Sequence, residues 1–286
     1  MREIKFARYR HYDNARVDAN NSMMALLAGS RLAAHSLQLH EDSPHQLPGL
    51  FPKVRDIDRF NLLPGRASEL LNSADSHLAA VAIPYALAVY EDFVLDAIDL
   101  LEADGKRVDR SRGSTSAGKM HTTFFAAAGA TPPTTEMALF HVLRCMRNAQ
   151  IHRGGAVSSE LILQMQSLDA AQRHRWEKLI MAPIGSLIEG EPIDFTIGHL
   201  VASFAVTKES ARVINEVLAA SLSRPFWSDL VAKDFDTGAK HPRNSSGWRR
   251  GLIGFASHNY KPLSLKESEL QEAARRVGAW TSKKWS

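Results

Sequence analysis

Between Ala67 and Leu101 the chain places helix-forming residues at helical spacing, interrupted only by Pro84, and this run limits what the protein can fold into. Its apolar stripe passes through Leu87, Val94, Leu95 and Ile98, a repeat that gathers on one side of a helix and scatters on a strand. Pro84 lacks a backbone donor, so a kink or break is expected there. Further helices are expected over Asn14–Leu39, from a Thr135 cap through Ile151, over Ser159–Leu168 and over Lys208–Leu222. Ser264 and Glu267 have capping-box spacing for a last helix through Ala279. Between Glu102 and Glu136 helix signals fade into loop composition, with "GATPPTTE" as a second breaker. One segment departs from the helical pattern. In "MAPIGSLIEGEPIDFTIG", Ile184, Leu187 and Ile188 precede a Glu-Gly turn signal, and Ile193, Phe195 and Ile197 alternate after it, which predicts a small β-hairpin. The expected class is mostly α: a helical bundle with a β-hairpin insertion and a basic helical C-terminal tail.

A chain of 286 residues, 44% of them hydrophobic, can bury a substantial core. The expected organisation is an N-terminal helical segment over 1–60, a helical domain over 61–225 and a basic extension over 226–286. Charge is uneven. From Lys240 to Ser286 there are ten basic and three acidic residues, +7 for the tail within a net +4, which leaves −3 for the rest. Such asymmetry points to a polyanionic partner. Arg249 and Arg250, interleaved with Trp248, Phe255 and Tyr260, are candidate RNA contacts. The competing reading packs those aromatics into a helical cap, and the tryptophans fit that reading better. Cys145 stands alone, which excludes an internal disulfide and a cysteine-rich zinc site. The start, "MREIKFARYRHYDN", lacks the apolar core of a signal peptide, and no uninterrupted apolar run nears the roughly 20 residues a membrane span needs. The chain therefore reads as cytoplasmic, with no membrane partner.

Gly113 to Lys119, "GSTSAGK", has the spacing of a phosphate-binding loop. Met120 follows where Ser or Thr would hold magnesium, and "DGKRVDRSR" before it is not a buried strand that could aim the loop. It reads as a polar loop, and no nucleotide cofactor is expected.

The stretch "LRCMRNAQIHRGG" holds the sharper signal. On a wheel of about 100° per residue, Leu139, Val142, Leu143, Met146 and Ala149 form an apolar arc, opposite His141, Arg144, Asn148 and His152. Arg147 lies between Leu143 and Phe140, so its guanidinium starts its path against the core. Burying that charge costs several kcal/mol unless an anion meets it. Glu91, in the middle of the long helix's apolar stripe, is equally misplaced alone, and the two are expected to pair. His152 lies about 140° around from Arg147 in an ideal helix. Either a loosened last turn brings them together, or a second copy of the helix does.

Arg147-Asn148, three intervening residues and His152, followed by "RGG", resemble the motif of HEPN domains. The inward acidic residue of "AVYEDFVLDAI" adds to the likeness, which covers roughly Ala67–Leu222 as helix pattern. The resemblance implies an α-helical homodimer that cuts RNA without a metal or other cofactor. A ribose 2′-OH attacks its own 3′ phosphate, leaving a 2′,3′-cyclic phosphate and a 5′-OH. Histidine is suited to moving the proton near neutral pH, and arginine offers a planar fork to the phosphate oxygens. His152 would be the acid/base, Arg147 the phosphate group, Asn148 a positioning group and Glu91 an orienter of Arg147; Arg144 and His141 would hold the substrate backbone. An antitoxin or other regulatory protein is the further partner class implied, in toxin–antitoxin control or antiviral defence. Some members of the family carry a tyrosine two residues after the histidine that a partner modifies; here that position is Gly154. The alternatives are a non-catalytic HEPN-like dimer binding nucleic acid or a protein, and a regulator that uses the final helices.

Overall fold

Helices take over almost as soon as the chain starts. The computed structural model describes residues 3–285. In order they form α1 (Ala7–Gln38), α2 (Leu47–Leu50), α3 (Pro64–Asn72), α4 (Ala74–Ala103), α5 (Met120–Ala128) and α6 (Thr134–His152). There follow α7 (Ser159–Gln166), α8 (Ala170–Ile180), α9 (Ile197–Ser221), α10 (Arg224–Thr237), α11 (Ser246–Asn259) and α12 (Glu267–Arg276). The chain divides into two compact units: Met1–Ala15, Ala88–Phe140 and Val206–Ser286 form the first, Arg16–Leu87 and His141–Ala205 the second.

The first unit has an aromatic core. Tyr12 stacks on Phe93 with ring centroids 5.0 Å apart, and Phe6 meets Trp227 edge-on at 5.7 Å. The segment before α1 is tied down by a buried amide: the Ile4 N–H donates to Asn215 Oδ1 (2.9 Å) and Asn215 Nδ2 donates to the Ile4 carbonyl (2.8 Å). Asp234 of α10, only 7% exposed, accepts two hydrogen bonds from Arg10 (2.8 and 3.0 Å) and one from the Tyr260 hydroxyl (2.6 Å). Burial, with Asp234 beside it, raises the Tyr260 pKa, so the phenol stays protonated and donates. In the tail, Trp248 and Trp280 are essentially fully buried with ring centroids 5.9 Å apart, and Arg243 and Arg276 pair with Asp236 and Asp229. The tail is thus a packed helical layer, with Trp248 and Trp280 in its core.

In the second unit, Leu37, Leu47 and Ala67 gather under Phe51, Ile57, Leu62 and Leu71, and the Ser68 hydroxyl donates to the Ala34 carbonyl (3.2 Å). The C-terminal end of α8 meets the start of α9 at Gly198, where a Cβ would lie 1.9 Å from the Ile180 carbonyl oxygen. Only glycine permits that approach.

The structure corrects several expectations. No β-strand occurs among the described residues, so the fold is all-α and the hairpin insertion is absent. The turn signal itself is real: the Glu191 N–H donates to the Ile188 carbonyl (3.2 Å) and Gly190 is left-handed (φ 86°). Its two arms do not pair with each other, because Pro183 and Pro192 withhold backbone donors. Residues 190–193 pair instead with the loop after α6: Val157 N–H to Glu191 O (2.8 Å), Gly190 N–H to Val157 O (3.0 Å) and Ile193 N–H to Gly155 O (2.8 Å). The resulting contact is a single antiparallel bridge, Ala156 with Pro192.

Pro84 breaks nothing. It lies inside α4, and the interruption falls earlier, at Ser73 between α3 and α4. The turns on either side bury Ala79, Ala82, Ile83, Ala86 and Leu87, and that packing outweighs one missing backbone bond. By length and composition α4 could cross a membrane, as the core helix of a folded domain also could. The expected loop after Glu102 contains α5, whose Met120, Phe124 and Phe125 are buried; tertiary packing overrides the weak propensity of "MHTTFF". Helix α8 was not expected, although its start carries a plain signal: Asp169 accepts from the Gln172 N–H (2.8 Å) and Gln172 Oε1 from the Asp169 N–H (3.0 Å). The last helix begins two residues later in the cap register than expected. Ser264 is left-handed (φ 47°), and Glu269 accepts from the Lys266 N–H (2.7 Å).

Candidate functional site

Helix α6 follows Pro132 and Pro133, which cannot continue a preceding helix but suit a helix start. It begins at Thr134, one residue before the expected cap. Leu139, Val142, Leu143, Met146 and Ala149 are all buried, so the apolar arc is the packed face. Arg147 is half-buried at the edge of that face, and its Nε is shielded from solvent. Asn148 is half-buried and His152 exposed.

The end of α6 is regular. The Arg153 N–H still donates to the Ala149 carbonyl (2.9 Å), so no loosened turn precedes His152. Two left-handed glycines then stop the helix, Gly154 (φ 62°) and Gly155 (φ 87°), with the Gly155 N–H on the same Ala149 carbonyl (3.1 Å). Because the helix does not unwind, the separation of about 140° between Arg147 and His152 stands within one chain.

His141 and Arg144 are brought together, with a third residue that sequence reasoning missed. Arg144 Nη2 pairs with Glu160 Oε1 of α7 (2.8 Å), and Arg144 Nε donates to His141 Nδ1 (3.3 Å). The Arg144 side chain is only 19% exposed. Burial, and then the Arg144 charge, lower the His141 pKa and favour the neutral ring, whose Nδ1, accepting from Arg144, carries no proton. Arg144 is therefore an anchored cation whose near face is already occupied. The one signal in the sequence was Glu160 in the first turn of the next helix, a position acidic residues favour anyway. Cys145 beside it is buried, which pushes its thiol up to about 11 and leaves it protonated.

Glu91, Arg249 and Arg250 belong to the first unit, whereas His141 through His152 belong to the second. Glu91 is half-buried on α4, with Oε1 shielded from solvent. Arg249 is engaged: its Nη1 donates to the Trp285 carbonyl (3.0 Å) and lies 3.6 Å from Glu267 Oε1. Arg250 is exposed. The glycine-rich 113–119 stretch forms consecutive turns that no strand leads into. Among the described residues, no group of three or more His, Cys, Asp or Glu is arranged to hold a metal ion. No protein-family model, curated protein or solved structure matches the chain.

Proposed function

We propose that the protein is an endoribonuclease of the HEPN type that acts as a homodimer and needs no metal. One observation carries the reading: a single regular helix holds Arg147 with its Nε shielded and, five residues on, presents His152 to solvent at its last position. A guanidinium and an accessible imidazole are the two groups that intramolecular RNA cleavage asks for. His152 takes the proton from the ribose 2′-OH as the 2′-oxygen attacks phosphorus; the bond from phosphorus to the 5′-oxygen breaks, and that oxygen takes a proton from water and leaves as a 5′-OH, the hydroxide formed recovering the proton from His152. Arg147 holds the non-bridging oxygens as charge builds on them, and Asn148 positions the phosphate. The angular separation on an unbroken helix supports a site shared by two copies, the arginine of one facing the histidine of the other.

A second reading, a non-catalytic dimeric module, draws support from the surface. All fifteen large apolar side chains exposed among the described residues, Leu32 and Leu39 foremost, belong to the second unit. A partner chain that docks on this unit would cover apolar side chains of this kind.

The test is digestion of a mixed RNA pool in EDTA by the wild-type chain and by His152→Ala. The expected outcome is 2′,3′-cyclic ends from the wild type and a loss of about 10²–10⁴-fold in the folded variant, the usual scale of acid–base catalysis. Equal cutting by both, or cutting by neither, rejects the nuclease reading; in the second case the dimeric module is the reading that stands.

A further inference from the structure

The second unit holds a half-open pocket of about 290 Å³ that the nuclease reading does not use. Val157, Leu161, Met165, Trp176, Ile180 and Ile193 supply apolar walls, and the segment expected to be a hairpin closes one side. That volume is near the lower bound for small-molecule sites.

His199 also lines the cavity. The Thr196 N–H donates to its Nδ1 (3.1 Å), and the Thr196 hydroxyl lies 3.0 Å from the same atom. A nitrogen that accepts a backbone N–H carries no proton, so the neutral ring holds its proton on Nε2. Burial lowers the His199 pKa and favours this neutral form. The ring is therefore fixed by Thr196 at one nitrogen and is a donor at the other. The other polar side chains on its wall are Ser186, Glu191, Asp194 and Thr196, and a small set of polar groups in a mostly apolar pocket is the composition that orients a small ligand.

We propose that this cavity binds a small neutral molecule with an apolar body and one hydrogen-bond-accepting oxygen, such as a ketone or an aldehyde, with the oxygen accepting from His199 Nε2. The apolar body fills the space between Trp176 and Leu161. A carboxylate is disfavoured, because a neutral imidazole cannot offset the cost of burying the charge. Met146, directly before Arg147, forms part of the wall, so the cavity backs onto the motif helix.

Acetophenone, ethylbenzene and benzoate, which share a ring and differ at the polar end, test the proposal by calorimetric titration of the full chain. No RNA is involved, so failure here leaves the nuclease reading untouched. Acetophenone is expected to bind one per chain, about tenfold tighter than ethylbenzene, the value of one net hydrogen bond; benzoate is expected not to bind. His199→Phe abolishes the preference for acetophenone, and His199→Gln, which can accept at one end and donate at the other, retains it. Leu161→Trp fills the cavity and removes binding of both neutral compounds. The proposal is overturned if acetophenone shows no saturable binding, if it binds Leu161→Trp unchanged, or if the preference survives in His199→Phe.

Discussion

Gly198→Ala puts the tightest approach in the second unit to a direct test. The added methyl carbon would lie 1.9 Å from the Ile180 carbonyl oxygen, 2.6 Å from its carbonyl carbon and 2.7 Å from its Cα. A tolerable carbon–oxygen contact is about 3.3 Å, so α8 and α9 must separate locally by about 1.4 Å. All three atoms are backbone, and no side chain can rotate out of the way. The cost is at the upper end of overpacking, about 3 kcal/mol, or roughly 6–10 °C in melting temperature for a chain of this size. The control is Gly29→Ala. Gly29 lies inside α1 with nothing within 4 Å of its added Cβ, so the smaller backbone entropy loss on folding stabilises by about 0.5–1 kcal/mol. Thermal unfolding followed by circular dichroism reads both. A Gly198→Ala melt within about 1 °C of wild type would refute the close approach and the cavity geometry built around it.

Two further perturbations address the first unit. Asp234→Ala removes the acceptor shared by Arg10 and Tyr260 and leaves a largely shielded guanidinium without its anion; the expected loss is about 3–5 kcal/mol by urea titration, and a loss below about 1 kcal/mol would mean water replaces the carboxylate at little cost. Glu269, paired with Arg224, is held at about 2, below its ordinary 4.5. Between those values the unfolded chain binds the extra proton, so the contribution of Glu269 is present above pH 4.5 and is lost as pH falls towards 2. Glu269→Gln is expected to lessen the dependence of stability on pH in that window by a modest amount, as suits an exposed pair; identical slopes in both proteins would refute the assignment.

How much was readable in advance depends on where the information lies. The apolar arc of α6 is a property of spacing within one helix, and the residues assigned to it are the ones buried. The termination by Gly154-Gly155 was equally local. Arg144 shows the limit of such reading: placed on a polar arc, it is mostly buried and paired with Glu160, a residue of the next helix that no wheel of α6 can show. The 184–197 segment shows it again. Its alternation resembled a strand pair, yet Ile184, Leu187, Ile188 and Ile193 line a pocket, and the backbone of Gly190, Glu191 and Ile193 bonds to Gly155 and Val157, more than thirty residues earlier.

The sequence alone determined the mostly helical character, the glycine stop after His152, the uneven charge and the presence of arginine and histidine on one helix. Each depends on residues within a few positions of one another, where spacing and propensity act directly. Tertiary structure alone decided that Pro84 is tolerated, that "MHTTFF" becomes a buried helix, and that Gly198 admits the Ile180 carbonyl. In each of these, burial and packing between distant segments outweigh a local preference worth only a few kcal/mol at most.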